Sequence, residues 1–287
     1  MINYQLLSSE PGGPHFLFDG KNTWRFIDDG EHSGAMNMAR DEALAISAGL
    51  GSPPALRVYR FAPPAVSIGR FQPVSGFIDL EVCEREKIEV VRRPTGGLAI
   101  LHLDDFTYSV SLPRHADHAR KKEQYFALVA RGVLEALHLL GIKARVVSHR
   151  GTDTQPSVWC FEGAFGVDIE WQGRKVCGSA QRLFKDSLLQ HGSLFLRVHP
   201  EILKGIEMVS RQVAEAVPRE YTLVSLLEAA GKTITWEDVC LAFFEGFSNA
   251  LSLTVENGRF SESEESLAGR LYEKKYSTAQ WLSRSGS

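Results

Sequence analysis

Several signals that would fix a protein's class at once are missing from this chain. Its four cysteines, Cys83, Cys160, Cys177 and Cys240, are widely separated and form no Cys-x-x-Cys pair. That spacing argues against a disulfide framework and a thiolate zinc site, and points to reduced thiols. The nine histidines lack metal-ligand spacing, His115 and His118 having no matching pair elsewhere, so no metal is expected. No long run of like charges interrupts a formal net charge of −3, which leaves no general polyanion-binding face and makes nucleic acid an unexpected partner. Apolar stretches fall well short of a membrane span, and the N-terminus has no basic segment followed by an apolar one. A cytoplasmic protein without a membrane partner is the expectation. There is no internal repeat or low-complexity tract, and neither a Gly-x-Gly-x-x-Gly fingerprint nor a P-loop.

What is present is an ordinary globular composition: 287 residues, 44% hydrophobic, enough for one large domain or two small ones. Residues 1–23, with Pro11-Gly12-Gly13-Pro14 and no sustained periodicity, read as an extension. A main domain is expected over residues 24–255, and a C-terminal helical segment over 256–287. Ser33 is placed to cap a helix with Ala35, Met38, Ala39, Ala43 and Ile46 on its apolar face and Gly49 at its end. Short β-rich runs follow at 55–61, 65–68, 88–92, 98–101 and 106–112, separated by Pro and Gly. A long helix from about Asp117 to Leu140 carries Phe126, Val129, Val133 and Leu137 at helical spacing and stops at Gly141. Further strands run to about Val198. Beyond them, Thr235-Trp236-Glu237-Asp238 and Ser261-Glu262-Ser263-Glu264 read as capping boxes of helices. This order predicts an α+β fold, a mixed and largely antiparallel sheet with packed helices, without a regular βαβ repeat.

Cys160 and Lys175 carry the most pointed chemistry. Phe165, Val167, Ile169 and Trp171 alternate with Gly166, Asp168 and Glu170, and Gln172-Gly173 supplies a tight turn, so a hairpin brings Lys175 back along the strand that follows Cys160. An ammonium beside a thiol favours the thiolate, which would make the pair a nucleophile and its activator. On spacing alone, a small buried thiol and an unrelated surface lysine fit equally well.

The stretch Arg92-Arg93-Pro94-Thr95-Gly96-Gly97 places two guanidinium groups, a hydroxyl and two bare backbones after a strand. Such a loop admits an anion or an acyl chain close to backbone N–H groups, and a plain tight turn is its simpler reading. His102 is suited by its titration range to general-base work but is more simply a hydrogen-bonded core histidine. Gly192 in Gln190-His191-Gly192-Ser193 permits close backbone approach or marks a bulge.

Taken in order, Arg92-Arg93-Pro94-Thr95-Gly96-Gly97, Lys175-Val176-Cys177-Gly178-Ser179-Ala180-Gln181 and Gln190-His191-Gly192 resemble the biotin and lipoate protein ligase superfamily. The likeness is closest to its cysteine-dependent octanoyltransferase branch, because Cys160-Phe161-Glu162 is similar to the Cys-Phe-acid context of thiol-dependent acyl transfer. Trp24 to Asp28 and Asn37 to Leu44 resemble the start of that catalytic domain, and Tyr276-Ser277-Thr278-Ala279-Gln280-Trp281 its end. One departure stands out: the family's His-Asp dipeptide is replaced by His102-Leu103, with acids at Asp104 and Asp105.

The resemblance implies a catalytic domain related to class II synthetases and biotin ligases, acting as a monomer without a cofactor. It implies octanoyl transfer from acyl carrier protein, through a Cys160 thioester assisted by Lys175, to a lysine of an apo lipoyl domain or glycine-cleavage H protein. Arg92, Arg93, Thr95, Gly96, Gly97, His102, Gly178, Ser179, Ala180, Gln181, His191 and Gly192 are the substrate-binding residues it implies. An amidotransferase drawing octanoyl from H protein and an ATP-dependent lipoate ligase are the alternatives within the superfamily. A binding module that keeps the fold without turnover is the alternative outside enzymology.

Overall fold

A computed structural model describes residues 23–75, 78–114, 122–149, 166–198 and 223–284. Among them, eight strands form one sheet: β1 (Thr23–His32), β2 (Ala55–Phe61), β6 (Asp105–Pro113), β7 (Arg145–His149), β8 (Gly166–Trp171), β9 (Arg174–Leu183), β10 (Ser187–Phe195) and β11 (Thr254–Asn257). Their spatial order is β11-β1-β2-β6-β10-β9-β8-β7. β11, β1 and β2 run parallel, and every later neighbour is antiparallel. The expected mixed, largely antiparallel sheet is present. The runs read at 65–68, 88–92 and 98–101 do not join it. As β3 (Ala65–Ile68), β4 (Glu89–Arg92) and β5 (Ile100–His102) they form a separate three-stranded sheet in the order β4-β3-β5.

Strand alternation sorts the main sheet into two chemically different faces. On one face, Leu56 and Val58 of β2, Phe106, Tyr108 and Val110 of β6, and Leu188 and Leu194 of β10 enter the largest apolar cluster. They meet two helices, α3 (Lys122–Leu139) and α5 (Trp236–Leu251), through Val129, Val133, Leu137, Phe243 and Phe247. Burial of each such side chain stabilises by about 1.5–3 kcal/mol. These two helices cross closely because Gly246 is bare: a Cβ there would lie 2.6 Å from the Ala136 backbone nitrogen.

On the other face, the alternate residues Arg57, Thr107, Ser109, His191 and Ser193 are also buried, but polar. They face α1 (Gly34–Gly49), whose N-cap Ser33 accepts a hydrogen bond from the Met36 amide, as read from the sequence. An amphipathic α1 was expected. Instead it is buried nearly all round, with Asn37, Arg40, Asp41 and Glu42 at most 8% exposed. Those polar groups require partners in the protein, and the sheet's polar face supplies them.

Short helices complete the fold: α2 (Leu80–Arg85), α4 (Leu226–Ala230), α6 (Glu262–Leu271) and α7 (Ala279–Leu282), with a π-helical turn at Tyr272–Tyr276. Both expected capping boxes form, at Thr235 with Asp238 and at Ser261 with Glu264. α2 and β11 have no counterpart in the sequence reading. Residues 1–22 of the extension, the start of the long helix near Asp117, and Cys160 all lie outside the described residues, while Thr23, counted with the extension, begins β1. No described helix is long and apolar enough to cross a membrane, and no described group of side chains forms a metal site.

Candidate functional site

Between the β3–β4–β5 sheet and the polar face of the main sheet lies a narrow cavity, about 400 Å³ with the open solvent at its mouth included. Arg93, Gly97 and His102 form one side of it, and Gly178, Ser179, Ala180, His191 and Gly192 the other. Eight residues chosen from sequence thus converge on one space. Met38, Tyr59, Phe61, Ile100, Thr107 and Ser193 complete the lining. The space depends on glycine. A Cβ on Gly192 would lie 2.7 Å from Ser179 Oγ and from the Tyr108 ring, and Gly97 has a φ of +90°, a conformation that suits glycine. Gly69 matters equally, because a Cβ there would sit 1.8 Å from the Gly97 carbonyl oxygen.

Two buried relays hold the glycine loop. In the first, Asp105 Oδ2 lies 2.7 Å from His102 Nδ1, so that nitrogen carries a proton, and Nε2 is hydrogen-bonded with Ser67 Oγ, also at 2.7 Å. Arg93 Nη1 donates to Ser67 Oγ at 2.9 Å, while Nη2 holds the Gly96 and Leu98 carbonyls at 3.0 and 2.8 Å. Phe61 stacks on the His102 ring with centroids 3.8 Å apart. Thr107 and Ser193 also donate to Asp105. The family's adjacent aspartate is therefore supplied from three residues on, across the turn between β5 and β6. Burial alone would raise the Asp105 carboxyl; the His102 interaction and the hydroxyl donors outweigh it and hold it below the ordinary value.

In the second relay, Thr95 Oγ1 meets His191 Nε2 at 2.6 Å, and His191 Nδ1 meets Asp41 Oδ2 at 3.0 Å. Asp41 also accepts from Tyr59 Oη at 2.9 Å and from Arg57 Nη1 at 2.7 Å. Arg57, fully buried, reaches Asn37 Oδ1 and Asp29 Oδ2 as well, each at 2.7 Å. Burial lowers the His191 imidazole, keeping it neutral and fit to accept from Thr95. Sequence reasoning missed Asp41, Arg57, Tyr59 and Asp29. The signal that marks them is an i,i+4 pair, Asn37 and Asp41, on a helix otherwise suited to a core.

The remaining chosen residues stand apart from the cavity. Arg92 donates to the Gly69, Arg70 and Gln72 carbonyls through Nη1 and to the Trp281 and Leu282 carbonyls through Nε. It ties the C-terminal segment to the loop after β3 and leaves no fork open for a phosphate. Gln181 pairs with Gln190 at 3.0 Å, and a Cβ on Gly96 would meet nothing within 4 Å. Lys175 is buried on β9 with Nζ 2.7 Å from Asp168 Oδ1. The expected hairpin is there, turning at Gln172 and Gly173 with φ of +50° and +79°. Asp168 belongs to the polar set that alternates with the apolar residues of that strand. It is 5% exposed, as the partner of Lys175.

The three described cysteines are free and poor nucleophiles. Burial pushes the Cys83 thiol up to about 11, and the Cys177 and Cys240 thiols up to about 12.

With this geometry in view, comparison with known proteins is direct. The model of the lipoyl protein ligase A/B catalytic domain matches residues 33–248. Octanoyltransferase LipM of Symbiobacterium thermophilum is 36% identical over 280 residues, covering 92% of this chain and 99% of that one. Octanoyltransferase LipM of Bacillus subtilis is 33% identical, covering 91% and 98%. The crystal structure of a lipoate-protein ligase A bound with ATP aligns with a TM-score of 0.76 at 27% identity, covering 91% of this chain and 98% of that one. A putative lipoate protein ligase from T. acidophilum with bound lipoic acid aligns at 0.72 and 26%, covering 92% and 100%. By the family model and by relatives matched over nine-tenths of its length, this chain belongs to the lipoyl protein ligase A/B catalytic-domain family.

Proposed function

We propose that the chain is an octanoyltransferase of lipoate biosynthesis, an acyltransferase whose acceptors are lipoyl-domain proteins. The observation that carries this reading is the match, over nine-tenths of this chain, to octanoyltransferases of the LipM type. The cavity agrees with it. Its walls are mostly apolar side chains and bare glycine backbone, and Arg93, the guanidinium that reaches it, is spent on Ser67, Gly96 and Leu98. Six methylenes buried there at roughly 0.8 kcal/mol each give about 5 kcal/mol, enough to make chain length a determinant.

The proposed chemistry runs in two steps. The Cys160 thiolate attacks the thioester carbonyl of octanoyl-acyl carrier protein, and the carrier's thiol leaves with a proton. The amine of an acceptor lysine then attacks the new thioester, forms the amide and releases Cys160. Cys160 is assigned from its Cys-Phe-Glu context, and burial, which raises the three described thiols, supports that choice over them. β8 runs antiparallel to β9 with Ile169 opposite Cys177, so its N-terminal end lies towards Ser179 and Ala180 at the cavity. Cys160 precedes Gly166 by six residues, a reach of at most about 20 Å.

The test offers purified enzyme three donors with an apo lipoyl domain: octanoyl-acyl carrier protein, octanoylated H protein, and octanoate with ATP and magnesium. Carrier-dependent transfer that survives apyrase and vanishes in Cys160→Ala is expected. Transfer from H protein alone would make it an amidotransferase, and transfer only with ATP would overturn thiol catalysis.

A further inference from the structure

The Tyr276–Trp281 motif takes no part in the cavity, yet it organises a second, strongly cationic feature. Three cations converge on the Trp281 ring: Lys275 Nζ at 4.3 Å, and the Arg70 and Arg284 guanidinium carbons each at 5.6 Å from its centroid. Trp281 is itself fixed, since its indole N–H donates to the Arg92 carbonyl at 2.9 Å. Beside the ring opens a shallow cleft, about 830 Å³ with the open solvent at its mouth included, lined by Lys274, Lys275, Thr278, Trp281, Ser283 and Arg284 among others. Lys274 and Arg284 are exposed there, while Lys275 is half-buried.

Charge in this region is lopsided. Glu42 is the carboxylate that answers it, bonded to Lys275 and the Tyr276 hydroxyl and lying 4.0 Å from Arg182. Burial and then the neighbouring charges of Arg182 and Arg284 pull the Arg70 guanidinium below its usual range; burial, with Arg182 and Arg70 against the opposing Glu42, does the same to Lys275. Cations held this close, with aromatic support and two hydroxyls alongside, suit a compact oxyanion such as a phosphate.

A loop beside the cleft is also bonded to the glycine loop. The Arg70 amide donates to the Thr95 carbonyl at 2.8 Å, so the loop that carries Arg70 is bonded to the glycine loop. Arg182 shares a face of β9 with Ala180, two residues on and about 7 Å along the strand, and reaches towards the Pro94 carbonyl. An acyl donor built on a phosphopantetheine arm has its thioester at one end and a phosphodiester at the other. We propose that the cleft around Trp281 binds the phosphate of the donor's prosthetic arm while the octanoyl chain occupies the cavity. This deepens the carrier-protein reading above and rests on it.

The experiment compares octanoyl-pantetheine with octanoyl-4′-phosphopantetheine as donors, for the wild type, Arg284→Lys, and the double variant Lys274→Ala with Arg284→Ala. Wild type is expected to prefer the phosphorylated donor by about tenfold or more in kcat/KM, as two or three partly exposed cations on a phosphate would give. That preference should collapse towards one in the double variant and survive in Arg284→Lys. A preference equal in wild type and double variant, or an equal loss on both donors, overturns the proposal. So does a defect seen only with the intact carrier protein, which would mean that these cations meet the carrier's surface. Calorimetry of the full chain with 4′-phosphopantetheine and pantetheine decides the matter without turnover. If no thioester donor is used, the donor reading falls alone, and the cleft is judged by whether the phosphate raises affinity in wild type and not in the double variant.

Discussion

Asp41→Asn is the sharpest test of how the site is held, because it removes one charge and almost no volume. Three donors converge on the Asp41 carboxylate: Arg57 Nη1 on Oδ1, and Tyr59 Oη and His191 Nδ1 on Oδ2. An asparagine offers one oxygen and one NH2 to the same three groups. If its oxygen keeps Arg57, its NH2 faces the tyrosine hydroxyl and an imidazole that must move its proton to Nε2, towards Thr95. Stripping one partner from a buried ion pair costs about 3–5 kcal/mol. Arg57 retains Asp29 and Asn37, so the expected loss lies at the low end, about 3 kcal/mol.

Urea unfolding followed by tryptophan fluorescence reads this as a lower midpoint at unchanged slope. The pH dependence checks the cause. Burial would raise the Asp41 carboxyl, but the His191 hydrogen bond and the Arg57 charge hold it below the ordinary value. Its contribution is therefore present above the unfolded pKa, near 3.9, and is lost as pH falls through the folded value. The gap between wild type and Asp41→Asn should be constant from about pH 5 to 8 and close in stronger acid. A loss below about 1 kcal/mol, or a gap that widens in acid, would refute the account of a buried charged brace.

Other expectations are simpler to check. Gly69→Ala drives a Cβ against the Gly97 carbonyl and must displace the glycine loop; a fall on the order of 10²-fold in kcat/KM with the fold retained is expected, and wild-type turnover would contradict it. Iodoacetamide at neutral pH should label one thiol per chain, because the three described thiols hold thiolate fractions lower by a factor of about 10² to 10³ than an ordinary cysteine; rapid labelling of Cys177 would reassign the nucleophile. For Glu264, burial opposes ionisation, but the Arg25 hydrogen bonds and the Ser261 amide hold the carboxyl down at about 2. Glu264→Gln should lose stability at neutral pH, and the difference from wild type should vanish as pH falls from about 4.3 through about 2; a difference that persists at the acid end would point to packing rather than charge.

Local signals in the sequence translated well. Ser33 capped its helix, β2 and β3 fell on the residues read for them, Gln172-Gly173 turned the hairpin, and both capping boxes closed. Each is decided within a few residues, where cap, turn and alternation rules act. What escaped depends on distant partners. Arg57 and Asp41 are sixteen residues apart and take their meaning from the sheet that brings them together. Asp105 looked displaced from its family position until a turn returned it to His102. The separate sheet of β3, β4 and β5 was read as part of the main one, because strand propensity is blind to which neighbour a strand chooses. The parallel placement of β11 beside β1 is a crossover that no local pattern marks.

Lys175 shows how a correct residue can carry an incomplete expectation. Its ammonium was read as the activator of a thiol, and two residues along β9 it does favour the Cys177 thiolate. Burial is the larger effect, and that thiol stands at about 12. A nearby cation is therefore not sufficient; the thiol must also keep solvent or hydrogen-bond donors. Asp168, 2.7 Å from the ammonium, further turns the charge into an ion pair, whose field falls off faster with distance than that of a lone cation. If Lys175 lowers the Cys160 pKa as the sequence suggests, Asp168 works against it. The pH profile of Cys160 alkylation in wild type, Lys175→Ala and Asp168→Asn separates the contributions. Lys175→Ala is expected to raise the Cys160 pKa, and Asp168→Asn to lower it, each unit corresponding to about 1.4 kcal/mol. An unchanged profile in Lys175→Ala would leave the lysine to bind substrate or to stabilise the oxyanion. A rise in Asp168→Asn would mean that the carboxylate's main task is to hold the amine in place.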